Sequence, residues 1–486
     1  MLCLELSEFE GVDPLELYRG ALPLEPPWAL LDSGFEPRPR GPILLSRRCF
    51  LAFDPFLVLS AKGRRVTLWE GGRKKHFKAD PFSVLEWILN RFRIADPDLP
   101  TPLPAGGIGY LSYDLRTLLE RVPPHPNDDL KVPDMLFCFY DSVLTLDLAE
   151  GKVWLTSTGL PLQGDEARRR AREKVERWLK ALGRRANSAP RPLHSSMSQG
   201  LTLFSNFDRE GYKAAILKAK HYIRQGDIFQ VNLSQRFCAE LRGSPFDLFL
   251  RLREASPAPF AAFLDFGSFQ VVSSSPERFL FLDPKTRKVH TRPIKGTRPR
   301  GYTTEEDKAL AQELLSSEKD RAEHVMIVDL ERNDLGRVAE LGTVKVVELC
   351  ALEPFPTVFH LTSTIEGVLR EGVSRVDLLR ATFPGGSITG APKIRAMEII
   401  NELETVARGI YTGALGYLSF TGFMDLSIVI RTAVIKGGWA YFHAGGGIVF
   451  DSDPEAEYEE TIDKARGLVM ALGLSERKEV KVVAAG

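Results

Sequence analysis

Three apolar runs late in the chain, residues 411–420, 426–435 and 439–443, are separated only by short glycine-containing turns. Such turns can only reverse the chain, because a parallel connection needs a dozen or more residues, usually through a helix. The runs therefore read as an antiparallel meander. Phe279-Leu-Phe-Leu and Val289-His-Thr-Arg flank a Lys-containing turn and predict a hairpin. In the first half, Ile43-Leu-Leu-Ser, Phe56-Leu-Val-Leu-Ser, Val66-Thr-Leu-Trp and Val153-Trp-Leu-Thr predict further strands between proline-rich turns. Helical spacing marks residues 165–185, with Ala171, Val175, Trp178 and Leu179 on one face, and residues 391–403 and 454–472. Without strand–helix–strand alternation or internal repeats, the pattern predicts an α+β fold.

Pro190, Pro192 and several serines predict a linker over residues 187–206. It separates a β-rich region, 1–186, from a second region, 207–472, with a tail at 473–486; the two regions are expected to form one interleaved unit. Composition excludes several function classes. Lys+Arg and Asp+Glu both total 64, so no global field attracts nucleic acid or an anionic membrane. No apolar run approaches the ~18 residues of a membrane helix. The acidic start is unlike a targeting peptide. The five cysteines are scattered without a C-x-x-C pair, against both a disulfide framework and a zinc site. A reducing cytoplasm is the expected location.

Four segments could carry chemistry. On the last helix, Glu457, Glu460 and Lys464 are spaced three and four apart and can share a face. Carboxylates of this kind suit magnesium, which takes its other ligands from water and substrate; a solvated acidic face is the alternative. Just before it, the glycines of Ala444-Gly-Gly-Gly-Ile448 can bring backbone N–H groups close to an anion. The second segment, Phe383-Pro-Gly-Gly-Ser-Ile-Thr-Gly-Ala-Pro-Lys393, opens a helix and would suit a carboxylate or phosphate. It lacks the order of a nucleotide-binding P-loop. In the third, residues 318–334, ion pairs are one reading; the other has Glu323 facing Glu460 as a metal ligand. The fourth, Arg292-Pro-Ile-Lys-Gly-Thr-Arg298, offers Lys295 as a charge or an amine nucleophile. In nearby Ser275-Pro-Glu-Arg278, Glu277 is a candidate general acid.

Together these motifs resemble the chorismate-utilising enzymes: anthranilate, aminodeoxychorismate, isochorismate and salicylate synthases. The resemblance is densest over residues 207–472; before that it rests on Trp28-Ala-Leu-Leu-Asp-Ser-Gly34 and Gly106-Gly-Ile-Gly-Tyr110. It implies the anthranilate synthase component I-like fold, two facing antiparallel β-sheets with helices outside. It implies Mg2+ held by Glu323 and Glu460, with Glu457 supporting through water. Tyr411, Arg431 and the backbone of Gly445, Gly446 and Gly447 would form a substrate carboxylate pocket, with Gly296, Thr297 and Lys464 lining the same cavity. Glu277 would protonate the departing hydroxyl, with His360 beside it. Ser33, Pro259, Phe260 and Ala261 resemble a tryptophan pocket; a packed turn is the alternative.

Two positions discriminate within the family. Isochorismate-type enzymes carry a Lys base where this chain has Gln230 in Gln230-Val-Asn-Leu-Ser-Gln235, and an amide cannot activate water in that way. Anthranilate synthases carry Ala where this chain has Lys295, as aminodeoxychorismate synthases do. The resemblance therefore implies a Lys295 adduct at ring carbon 2, displaced when ammonia adds at carbon 4, with 4-aminobenzoate and folate synthesis downstream. No cysteine has the Gly-x-Cys-x-Gly setting of a glutaminase, so ammonia is expected from a separate glutaminase subunit. The stretch after Leu472 is too short for a fused lyase. Anthranilate synthase component I is the runner-up, and a catalytically silent tryptophan-binding regulatory subunit the third reading.

Overall fold

Strand alternation decides the layers of this protein, described here from a computed structural model. In the strand Phe260–Asp265, Ala262 and Leu264 enter one apolar core while Ala261 and Phe263 enter another. That is the period-two signature of a sheet covered on both sides. The structure describes residues 1–21, 24–33, 47–95, 98–183, 202–355, 358–473 and 482–484. Gly34, the run Ile43-Leu-Leu-Ser, most of the expected linker and most of the tail lie outside them.

Two large sheets carry the fold, with 13 and 12 strands among the described residues. They face each other across a core that brings Phe50 and Val271 of the first against Ile108, Tyr110 and Tyr417 of the second. Phe50 and Tyr417 meet with ring centroids 5.2 Å apart. Helices cover the outer faces: Pro14–Ala21, Gly164–Gly183, Pro245–Ala255, Lys393–Leu403 and Pro454–Ala471 on the first sheet, and Pro81–Arg91 and Arg375–Thr382 on the second.

Both halves of the chain contribute to each sheet. Trp28–Asp32 pairs with Phe260–Asp265, and Gly106–Leu111 with Ala414–Ser419, both antiparallel. The pairing of Leu203–Ser205 with Val482–Ala484 is parallel. Those two strands fall inside the stretches read from sequence as linker and tail, which corrects both readings where residues are described.

The expected hairpin forms between Arg278–Asp283 and Lys288–Arg292. The expected meander does not. Ala414–Ser419 and Met424–Ile428 pair in the 12-stranded sheet, whereas Thr432–Lys436 and Trp439–Ile448 pair in the 13-stranded sheet. The apolar run 426–435 thus breaks at residues 429–431 and crosses between sheets, where Arg431 takes a positive φ of 49°. Tyr411 lies in the preceding turn, outside the strand. In the helix Gly164–Gly183, Ala171, Val175, Trp178 and Leu182 are buried but Leu179 is 39% exposed. One step of 100° past Trp178 carries it off the apolar stripe. The helix expected from residue 391 starts at Lys393, because Gly390–Ala391 pairs with the strand Gln230–Glu240.

Candidate active site

The three glycines end the strand Trp439–Ile448, beside the helix Pro454–Ala471. Asp453 caps that helix by accepting from the Glu455 and Ala456 N–H groups. A β-carbon on Gly446 would stand 3.0 Å from Glu457 Oε2 and 3.3 Å from Glu460 Oε1. On Gly447 it would stand 2.1 Å from Gln230 Nε2, 2.6 Å from Glu323 Oε1 and 3.1 Å from Lys295 Nζ. The bare backbone therefore lets two acidic helices approach one strand end.

Lys295 lies on the strand Ile294–Pro299, where Gly296 is the extra residue of a β-bulge and has φ +82°. Lys295 Nζ pairs with Glu323 Oε1 at 2.9 Å. Gln230 Nε2 donates to the same oxygen at 2.5 Å, while Gln230 Oε1 is buried without a partner. Burial pushes the Glu323 carboxyl up, but Lys295, Lys464 and Gln230 outweigh it and hold the group low. Lys464 pairs with Glu460 at 2.6 Å and donates to the Gly445 carbonyl at 2.8 Å. That ion pair holds Glu460 low and Lys464 high. Glu457, buried beside Glu460, is raised, and its Oε1 accepts from Ser452 Oγ at 2.6 Å.

Glu277 is buried just before the strand Arg278–Asp283, and burial pushes its carboxyl up to about 7 against the opposing pull of Ser387 and Lys295. Ser387 Oγ donates to Glu277 Oε1 at 2.5 Å. The segment Phe383–Lys393 thus serves otherwise than as the open anion site its small residues suggested. Gly385 and Gly386 are buried, and β-carbons there would stand 2.9 Å from Ile428 and Leu330. Lys393 pairs with Asp334 at 2.5 Å. Sequence reasoning missed Ser387, whose only signal was a hydroxyl within a glycine-rich turn. It also passed over Glu331, a buried carboxyl on the helix Glu318–Gly336 that burial, with Glu277 nearby, raises to about 8.

Tyr411 stacks on His443, with ring centroids 4.8 Å apart and planes within 10°. Arg431 Nη2 faces His360 Nε2 at 3.5 Å, and His360 Nδ1 meets Thr297 Oγ1 at 2.9 Å. Burial pulls the Arg431 guanidinium down to about 10 and keeps His360 neutral. His360 is thus joined to Thr297 and Arg431.

Among the described residues no three His, Cys, Asp or Glu side chains are already gathered as a metal-binding cluster. The donor chemistry nevertheless fits magnesium. Glu323 and Glu460 are hard oxygen donors at adjacent glycines, and each is already balanced by a lysine cation.

Ser33, Pro259, Phe260 and Ala261 all line a separate cavity of about 440 Å³. Its other walls include Phe50 and Tyr417, from facing sheets, and Arg278, which pairs with Asp425 at 3.0 Å through two hydrogen bonds. Ser33 Oγ donates to the Arg48 carbonyl at 3.0 Å.

The profile of a family described as chorismate binding enzyme matches residues 48–470. Anthranilate synthase component 1 of Acetivibrio thermocellus is 42% identical over 434 residues, covering 88% of this chain and 87% of that protein. Aminodeoxychorismate synthase component 1 of Escherichia coli (strain K12) is also 42% identical, over 454 residues, covering 92% and 93%. The crystal structure of anthranilate synthase component I from Streptococcus pneumoniae TIGR4 superposes with a TM-score of 0.77 at 35% identity, covering 94% of this chain and 98% of that one. Relatives of both names match equally well, so similarity fixes the substrate-binding family and leaves the product to the site.

Proposed function

The chain belongs to the chorismate-binding enzymes, and from that premise we propose that it is the chorismate-converting component I of an aminodeoxychorismate synthase. One observation carries this reading: Lys295 Nζ lies beside the bare α-carbon of Gly447, among Gln230 and Glu323. An amine fixed there reacts at a high effective concentration relative to free ammonia.

In the proposed reaction the Lys295 nitrogen bonds to ring carbon 2 and the ring double bonds shift as carbon 4 loses its hydroxyl. Glu277 supplies the proton that lets the hydroxyl leave as water; a carboxyl raised to about 7 is suited to that transfer. Lys295 reacts as the neutral amine, its ammonium proton having passed to solvent beforehand; on bonding carbon 2 it becomes a secondary ammonium, which later departs as the neutral amine. Ammonia then bonds to carbon 4, the double bonds return, and the lysine leaves carbon 2. Magnesium, held by Glu323 and Glu460 with Glu457 in support, would neutralise the substrate's ring carboxylate. Arg431, Tyr411 and the Gly445–Gly447 backbone would hold the second carboxylate, with Thr297 and Lys464 alongside.

The name component I, carried by relatives of both kinds, supports a partner subunit. A separate glutaminase supplying ammonia completes this reading, as does a cytoplasmic location. In the described residues no helix is long and apolar enough to cross a membrane. The cavity at Ser33 and Phe260 is proposed to hold one tryptophan, its volume being ample for a single amino acid.

Incubating the protein with chorismate, magnesium and an ammonium salt tests the assignment. A product that an added lyase converts to 4-aminobenzoate is expected. Direct release of fluorescent anthranilate would overturn it in favour of the anthranilate synthase reading.

A further inference from the structure

The loop between the helix Lys393–Leu403 and the strand Ala414–Ser419 is mostly buried and carries Arg408, whose side chain is 1% exposed. All five N–H donors of its guanidinium are used. Nε donates to Glu404 Oε2 at 2.9 Å, and Nη2 to Glu404 Oε1 at 2.7 Å and to the Asn232 carbonyl at 2.6 Å. Nη1 donates to the Ile388 carbonyl at 3.0 Å and to Thr412 Oγ1 at 3.2 Å. Glu404, equally enclosed, also accepts from the Ser234 N–H at 2.9 Å and from Ser234 Oγ at 2.8 Å.

These partners belong to three different pieces of the candidate site. Ile388 follows Ser387, whose Oγ donates to Glu277 Oε1 at 2.5 Å. Asn232 and Ser234 lie on the strand Gln230–Glu240, opposite Gly447 and Gly445. Thr412 follows Tyr411, and its hydroxyl donates to the Tyr411 carbonyl at 2.6 Å. Thr412 has φ +58°, a left-handed conformation that is strained for a β-branched residue and persists only where its surroundings enforce it. Here the Arg408 fork holds its side chain, and the Val429 carbonyl accepts from its N–H at 2.7 Å.

A buried ion pair is weak evidence for stability, because well-packed apolar residues often replace one without loss. The value of this pair lies in what it connects. A lysine would keep the charge, but its ammonium offers three donors at one point in place of five in a planar fork. We propose that Arg408 is a positioning residue for chorismate turnover. It fixes the acid end of the site, through Ser387, and the carboxylate end, through Tyr411, at one separation. Chorismate must meet both ends at once, so a shift of either near 1 Å costs on the order of 100-fold in rate.

The inference rests on the roles proposed for Tyr411 and Glu277, so wild-type chorismate turnover is measured first; its absence would remove that reading itself. In an active preparation, Arg408→Lys keeps the charge beside Glu404 but loses at least two of the five bonds. Expected, well below its Tm and per folded molecule, are a kcat about tenfold lower and a KM for chorismate about tenfold higher. A lowered Tm with both constants within about twofold of wild type would overturn the proposal. Thr412→Gly separates positioning from folding, because glycine adopts the left-handed conformation freely while losing the hydroxyl that Arg408 holds. Its Tm should change little, with kcat within about twofold and KM raised about threefold or more. An unmoved KM overturns the proposal, and this variant decides alone if Arg408→Lys fails to fold.

Discussion

Lys295 and Glu323 are joined by an ion pair of 2.9 Å, so the amine assigned to bond the ring and a carboxylate assigned to hold the metal are partners in the same structure. Their pairing makes Lys295 the group whose loss discriminates most sharply. Lys295→Ala should abolish formation of the 4-amino product or divert it, with loss of at least ~100-fold. Chromatographic identification of the products decides; an unchanged product refutes the nucleophile role.

Gly447 has no room for a side chain. A methyl group at 2.1 Å from Gln230 Nε2 and 2.6 Å from Glu323 Oε1 must push both groups aside. Displacements near 1 Å cost on the order of 100-fold in rate. Gly447→Ala should therefore lose about that factor in kcat while keeping its circular dichroism and melting cooperativity.

In its proposed role as general acid, Glu277 must be protonated to act. Its raised value near 7 predicts that kcat is highest in mild acid and falls as pH rises through about 7. Glu277→Gln should leave little activity at any pH.

Two buried acids, Glu277 and Glu331, tie stability to pH. In the folded chain they hold protons well above 4.5, the value expected for the unfolded chain. Their contribution is thus full below about 4.5 and is lost as pH rises toward 8. Glu331→Gln should flatten the decline of unfolding free energy over that window, measured by denaturant titration at several pH values.

Removing magnesium with a chelator should stop chorismate turnover yet hardly move the melting temperature, because lysines already neutralise Glu323 and Glu460. A large drop in Tm on chelation would mean a structural metal.

Tryptophan should raise Tm with the logarithm of its concentration above the dissociation constant for the cavity at Ser33 and Phe260. At one hundred times its dissociation constant the gain is about 2.7 kcal/mol. Calorimetry with Ala261→Trp, which fills the space, is the control; no shift in either protein would make the cavity a packing feature.

Much of the site was legible because its chemistry lies in short contiguous motifs. Glu460 and Lys464 stand a helical turn apart, so spacing alone placed them on one face, where the structure pairs them. Gln230 and Glu323, hydrogen-bonded across 93 positions, were each named but could not be joined, since nothing local relates them. Ser387 and Glu331 escaped notice for the same reason: their meaning comes from burial against Glu277, which only the tertiary fold supplies. The broken meander is a further instance. Periodicity found strand-forming residues on both sides of Arg431, but it is blind to a change of sheet within one apolar run.

The pairing of Gly106–Leu111 with Ala414–Ser419 has a consequence for biosynthesis. A strand complete early in translation waits roughly 300 residues for its neighbour, about 15–60 s at ribosomal speeds of ~5–20 residues per second. Throughout that interval the nascent chain presents an unfilled apolar β-edge to the cell. Holding factors that shield such edges should set the yield of native protein more strongly than its final thermodynamic stability does.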